Sequence, residues 1–236
     1  MIVIRSALFN TLFLLWTMGL GLIVVVPGLV GPRQWAQCSA RLWSRGIFLL
    51  LEHVIGLHHE IRGLENIPPG PVIIAAKHQS AWDTLFFHTF LEDPVFIVKR
   101  ELFAIPVVGW LMRKSGCIGI DRSKSMRALR TMRCGAENAA RNGSQLVIFP
   151  EGTRTAPGVG RSYQTGVAML YHALSLPVVP AALNSGLFWG RRSFVKRPGR
   201  IVVEFLPPMP AGMERHVFVA ELQSRIESSS RRLLSA

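Results

Sequence analysis

A histidine and an aspartate five positions apart are the residues best placed to do chemistry. His78 follows the apolar run VIIAA, and Asp83 comes five positions later, in the stretch KHQSAWDT. If the run is a strand that ends at His78, the turn after it brings the Asp83 carboxylate back to the imidazole. Such a carboxylate fixes the tautomer and stabilises the imidazolium that forms on proton uptake. The pair therefore predicts His78 as general base for a substrate hydroxyl, with Asp83 as its partner.

The H-x4-D spacing by itself is a weak signal, because it recurs at His88 and Asp93. His88 lies in the apolar helical stretch FFHTFL, where a separation of five residues places the two side chains on different faces of a helix. We interpret His88 as a core or surface histidine.

Charged residues also follow three other apolar runs. In IFPEGTR, Gly152 allows the backbone to turn or to approach a ligand closely, and Glu151 could position a neighbouring arginine or a substrate hydroxyl. Arginine offers planar donors that suit a phosphate. The cations at these run ends are Lys99, Arg122 and Arg154. Ligands of open α/β sheets bind at the carboxyl ends of strands, so these cations and His78 predict one basic crevice.

The elements that must position these residues alternate along the chain. Continuous apolar runs predict strands covered on both faces, at residues 71–76, 95–98, 117–120, 146–149, 178–183 and 201–205. Helices are predicted between them, at residues 81–91, 107–113, 123–141, 162–173 and 213–233. This alternation predicts an α/β fold with a largely parallel central sheet flanked by helices.

The first part of the chain predicts a membrane-embedded segment. No charged residue occurs between Ser6 and Val30, which is long enough for a bilayer of about 30 Å. The segment either spans the membrane or dips in and returns. Residues 46–57 are too short to span and predict a helix at the interface or packed on the first. We therefore divide the chain into membrane-embedded or interfacial helices at residues 1–58 and an α/β domain at residues 59–236.

Composition narrows the class of ligand. The chain has 27 Lys and Arg against 14 Asp and Glu, a formal charge of +13, which suits nucleic acid, an anionic membrane or a phosphorylated substrate. A positive mean hydropathy beside this charge favours the membrane over nucleic acid. No Cys/His spacing typical of a metal site occurs, so no metal is predicted. More cations follow the apolar segment than precede it, which predicts that the body lies on the cytoplasmic side.

Taken together, four blocks resemble the 1-acyl-glycerol-3-phosphate acyltransferase family, the glycerolipid acyltransferases with the H-x4-D motif. HQSAWD is similar to the first block, GIDR with the upstream KREL and Pro106 to the second, FPEGTR to the third and PVVPAAL to the fourth. The resemblance extends from about residue 63 to residue 206. Two departures are Gln164, where many members have a lysine, and Trp82, where aliphatic residues are also common.

The resemblance implies an enzyme of phospholipid biosynthesis that transfers a fatty acyl group to the sn-2 hydroxyl of lysophosphatidic acid, giving phosphatidic acid. It implies His78 as base and Asp83 as its partner. It also implies that the substrate contacts Arg122, Glu151, Gly152, Thr153 and Arg154. No cofactor is expected; the co-substrate is a thioester of coenzyme A or of acyl carrier protein. The implied partners are membrane lipids and, as one option, acyl carrier protein, with no nucleic acid. The implied location is membrane-bound, on the inner membrane in a bacterium.

The sequence alone leaves three alternative functions open. The acceptor could be another lysolipid, for example a lyso-ornithine lipid, which would depend little on Arg154. The protein could instead be a non-catalytic, basic membrane-surface or nucleic-acid-binding protein, in which case binding would survive loss of His78. It could also hydrolyse a thioester with water. The order of the blocks favours acyl transfer to a lysolipid.

Overall fold

The computed structural model describes residues 1–121 and 125–235. Two helices open the chain, α1 (Ile2–Val30) and α2 (Arg33–Leu50), followed by a π-helical turn, Leu51–Ile55. The rest alternates strands and helices, in the order β1 (Leu57–Arg62), β2 (Ile73–Ala76), α3 (Trp82–Phe90), β3 (Pro94–Lys99), α4 (Val108–Lys114), β4 (Ile118–Ile120), α5 (Ser125–Arg141), β5 (Gln145–Ile148), α6 (Thr165–Leu174), β6 (Val178–Leu183), β7 (Gly199–Phe205) and α7 (Arg215–Leu234).

The seven strands form one mixed sheet in the order β1-β7-β6-β2-β5-β3-β4. All neighbouring pairs are parallel except β6 and β7. Strands β2 to β6 therefore point the same way, and their carboxyl ends meet at one edge of the sheet. The predicted α/β fold with a largely parallel sheet is confirmed.

Both faces of the sheet are covered, which explains the continuous apolar runs. One core cluster lies on the side of α2 and α3 and includes Ile74, Trp82 and Phe86. The other lies on the side of α5, α6 and α7 and includes Ile73, Met132 and Phe218. Successive residues of β2 thus enter opposite cores, as the alternation of side chains along a strand requires.

Two features near the N-terminus differ from the sequence analysis. The helix expected at residues 46–57 is the end of α2, which begins at Arg33, and the π-helical turn after it. Strand β1 was not predicted, because LHHEIR carries polar residues at an edge of the sheet, where only Leu57 is buried.

Helix α1 contacts the body along one side and exposes the other. Trp16 donates a hydrogen bond to the carbonyl of Trp43 at 3.0 Å, and Lys196 Nζ donates to Asn10 Oδ1 at 2.7 Å. The stretch Ile2–Gly21 is long and apolar enough to cross a membrane. Its exposed apolar residues include Leu8, Leu14, Leu15 and Met18.

Candidate active site

His78 and Asp83 form the pair that the spacing predicts. His78 lies just beyond the carboxyl end of β2, and Asp83 lies in the first turn of α3. The distance from His78 Nδ1 to Asp83 Oδ2 is 2.9 Å, and Asp83 is fully buried. With the proton on Nδ1 donated to the carboxylate, Nε2 keeps a lone pair. The histidine side chain is 16% exposed, so a substrate can reach it.

Three further donors hold the Asp83 carboxylate. The backbone N–H groups of Gln79 and Ser80 donate to Oδ2 at 2.7 and 2.8 Å. The Ser185 hydroxyl donates to Oδ1 at 2.5 Å. Ser185 is buried and follows the end of β6, next to β2. No motif in the sequence marks this serine, although its place two residues beyond a buried strand is an available signal.

The ring of Phe149 constrains the orientation of the His78 imidazole. Phe149 follows β5, the other neighbour of β2, and its ring stacks on that of His78 with centroids 3.9 Å apart and planes inclined by 17°. The imidazole is therefore oriented by a carboxylate at Nδ1 and by an aromatic ring against its face.

Glu151 is a buried carboxylate that contacts the backbone of His78. The residue is 1% exposed, and both of its carboxylate oxygens accept hydrogen bonds from protein groups. The backbone N–H of His78 donates to Oε2 at 2.9 Å. Lys77 Nζ and the Thr155 hydroxyl each donate to Oε1 at 2.7 Å. This carboxylate thus links the loop after β5 to the backbone of His78.

A second carboxylate, from the C-terminal helix, completes the network. Glu227 of α7 accepts from Lys77 Nζ at 2.7 Å, and the Tyr163 hydroxyl donates to it at 3.3 Å. Burial raises the pKa of Tyr163, and the negative charges of Glu227 and Glu151 raise it further, so the phenol stays protonated. Lys77 is 1% exposed and lies between two carboxylates.

The turn after Glu151 lies beside the histidine. Gly152 has a φ of 71°, in the left-handed region that favours glycine, and its N–H donates to the carbonyl of Phe149 at 2.9 Å. Thr153 and Arg154 follow, both partly exposed. A cavity of about 150 Å³ opens here, lined by residues that include Phe149, Pro150 and Gly152.

Of the two remaining predicted cations, the structure describes one, Lys99. Lys99 is exposed at the end of β3, which is separated from β2 by β5 alone. From the spacing of strands, the ends of β2 and β3 are roughly 10 Å apart. Arg122 lies outside the described residues. Within residues 1–121 and 125–235, no group of three or more His, Cys, Asp or Glu side chains is arranged to hold a metal ion.

The second H-x4-D match does not form a pair. Asp93 is bound by Arg33 at 2.7 Å and Gln37 at 3.0 Å instead. Nδ1 of His88 is buried without a hydrogen-bond partner. Burial, with a smaller contribution from the charge of Arg41, lowers the pKa of His88 to about 4. His88 lines an apolar cavity of about 210 Å³ between α1, α2, α3 and α4, as does Thr84, the residue after Asp83.

Comparison with known proteins places this fold and site in a class. Residues 58–184 match the acyltransferase family. A 1-acyl-sn-glycerol-3-phosphate acyltransferase of Pseudomonas aeruginosa is 39% identical over 187 residues, 79% of this chain and 72% of the relative. One of Saccharomyces cerevisiae is 30% identical over 77% of this chain and 60% of the relative. The crystal structure of a 1-acyl-sn-glycerophosphate acyltransferase from Thermotoga maritima aligns with a TM-score of 0.77 and 21% identity, over 100% of this chain and 99% of that one.

The family match covers the His78–Asp83 pair, the turn at Glu151 and strand β6. The chain therefore belongs to the 1-acyl-sn-glycerol-3-phosphate acyltransferase family of acyltransferases, as the four blocks predict. It is an enzyme of acyl transfer.

Proposed function

We propose that this enzyme transfers a fatty acyl group from a thioester donor to the sn-2 hydroxyl of lysophosphatidic acid, giving phosphatidic acid. The His78–Asp83 pair, 2.9 Å apart and with a partly exposed histidine, is the observation that carries the proposal. The names of the relatives support the acceptor.

In the proposed reaction, Nε2 of His78 takes the proton of the acceptor hydroxyl as its oxygen attacks the thioester carbonyl. The new C–O bond forms, the C–S bond breaks, and the imidazolium returns its proton to the leaving sulfur. Asp83 stabilises the imidazolium between these steps. No covalent enzyme intermediate is required, because the acceptor hydroxyl takes the place of a serine nucleophile.

The acceptor phosphate is assigned to Arg154, with Lys99 at the end of β3 as a second cation. The family resemblance also implies a contact with Arg122, which lies outside the described residues. Gly152 and Thr153 provide the turn beside this phosphate. Glu151 supports the site through the protein, because its two oxygens already bind Lys77, Thr155 and the His78 backbone. The apolar cavity next to Thr84 suits an acyl chain. We place the enzyme at a membrane through α1, with its body on the cytoplasmic face.

The decisive experiment is acyl transfer by purified protein in detergent. Labelled lysophosphatidic acid is supplied with acyl-coenzyme A, and separately with the thioester of acyl carrier protein. Wild type should form phosphatidic acid, and the productive thioester identifies the donor. His78→Ala should lower kcat by more than about a thousandfold, and Asp83→Asn by more than about a hundredfold. His172→Ala, at an exposed histidine of α6, is the matched control and should retain full activity.

Retained turnover in folded His78→Ala protein would refute the assigned base. Arg154→Ala tests the acceptor, because an acceptor phosphate that contacts this residue predicts a raised KM for lysophosphatidic acid. An unchanged KM, together with faster turnover of a lysolipid that lacks a phosphate, would replace the proposed acceptor.

A further inference from the structure

A groove of about 1200 Å³ lies along β4, the strand at one edge of the sheet. Helix α5 forms one wall, with Arg127 and Arg130. Helix α4 and the 3-10 turn before it form the other wall, with Arg113 and Phe103. The described residues that line the groove include these three arginines and no carboxylate. Three guanidinium groups around one concave surface favour a ligand with several negative charges.

Packing holds one of these arginines in place. The Phe103 ring lies so close to Gly119 of β4 that a Cβ atom there would be 2.3 Å from its Cε2. The Arg113 guanidinium lies over the same ring, 4.9 Å from the centroid. A guanidinium that stacks on an aromatic face keeps its N–H groups available for a ligand. The wall therefore presents a preorganised cation.

The cations of α5 are not equivalent. Arg127, Arg130 and Arg133 are evenly spaced in the sequence, which by itself suits an ordinary solvated face. Arg133 does not line the groove and pairs with Glu137 of the same helix at 2.7 Å. Two of the three arginines therefore line the groove, and the charge of the third is compensated by Glu137 of the same helix.

The groove is near the reacting atoms but separate from them. Strands β5 and β3 lie between β2 and β4, so the strand spacing places the end of β4 roughly 14 Å from that of β2. A donor that presents its thioester to His78 must hold the rest of the molecule elsewhere. In acyl-coenzyme A, a pantetheine arm separates the thioester from a nucleotide with three phosphate groups.

We propose that this groove binds the phosphorylated nucleotide of acyl-coenzyme A, with Arg113, Arg127 and Arg130 as ligands of its phosphates. The inference rests on the proposed function and adds where the donor is held. A groove with cations on facing walls suits a compact polyanion, whereas a protein carrier requires a complementary surface of about 800 Å².

The double variant Arg127→Ala/Arg130→Ala tests the inference, with Arg133→Ala as matched control on the same helix. We expect the KM for acyl-coenzyme A to rise about tenfold in the double variant, with kcat and the KM for lysophosphatidic acid within about twofold of wild type. Adenosine 3′,5′-bisphosphate should compete with acyl-coenzyme A, and its inhibition constant should rise by a similar factor. Arg133→Ala should match wild type in all of these.

An unchanged KM for acyl-coenzyme A in the double variant, or an equal rise in Arg133→Ala, overturns the assignment. A defect confined to the thioester of acyl carrier protein reassigns the groove to a protein, and a defect confined to binding of anionic vesicles reassigns it to lipid. Equilibrium binding of adenosine 3′,5′-bisphosphate needs no turnover. If wild type makes no phosphatidic acid but binds this nucleotide through Arg127 and Arg130, the proposed function fails and the groove assignment stands.

Discussion

The Asp83 carboxylate shows how much of the site depends on a single buried group. It accepts hydrogen bonds from the His78 ring, from two backbone N–H groups and from Ser185. These four donors come from the loop after β2 and from the end of β6. Because hydrogen bonds to a charged group contribute about 1.5–3 kcal/mol each, the carboxylate has one strongly preferred orientation, and so does the imidazole it holds.

His88 makes the folded state sensitive to acid. Its pKa is about 4 in the folded protein and returns to about 6.5 on unfolding. Below pH 6.5 the unfolded chain binds a proton that the folded chain does not, so stability falls as the pH falls towards 4. The loss contributed by this residue should reach about 2.5 kcal/mol at pH 4.5.

His88→Leu removes this titration and should flatten the dependence of the apparent Tm on pH between 7.5 and 4.5. The measurement is thermal unfolding in detergent across that range. His172→Leu, at an exposed histidine, is the control and should follow the wild-type curve. Parallel curves for wild type and His88→Leu would refute the assignment.

At the scale of elements, helix α7 supports the loop that carries His78. Glu227 is one of two carboxylates on the buried Lys77 ammonium. Glu227→Gln keeps the shape of the side chain but removes its charge, which should destabilise the fold by about 2 kcal/mol. For a chain of this length, the apparent Tm should fall by roughly 4–8 °C.

Glu221→Gln is the matched control for that variant. Glu221 lies on the same helix and pairs with Arg225 at 2.7 Å, but the two side chains are 41% and 31% exposed. Such exposed pairs contribute little, so this variant should unfold within about 2 °C of wild type. Equal Tm values for wild type and Glu227→Gln would show that the α7 contact is not needed for stability.

Strands were predictable from the sequence where burial of both faces requires a continuous run of apolar residues. The six predicted strands all exist, because strands covered on both faces are apolar throughout. Strand β1 was missed because an edge strand needs no such pattern. The His78–Asp83 pair was predictable because the two residues are only five positions apart in the sequence. Ser185, Lys77 and Glu227 were not assigned roles, because long-range pairing brings them to the site and no local spacing records it.

For the molecule as a whole, the two sides of α1 differ in their surroundings. One side of the helix packs on the body, and the other exposes apolar side chains that include Leu14 and Leu15, 57% and 60% exposed. A helix that is apolar on both its packed and its exposed side suits a position in which protein covers one side and lipid covers the other.

Leu14→Glu/Leu15→Glu should therefore lower the partition of the protein into phospholipid vesicles by more than about tenfold, because each charge is costly in the bilayer core. Vesicle flotation measures this effect. Leu64→Glu introduces a charge at a 50% exposed leucine outside α1 and should not change partition. Equal flotation of all three proteins would show that α1 does not carry the membrane contact.

The bonds between α1 and the body also set an order for biogenesis. The groups that bind Ser6 and Asn10 belong to Phe194 and Lys196, which leave the ribosome more than 180 residues later. Until Phe194 and Lys196 are translated, α1 cannot reach its native position on the body. Helix α1 therefore reaches its final position long after its own synthesis.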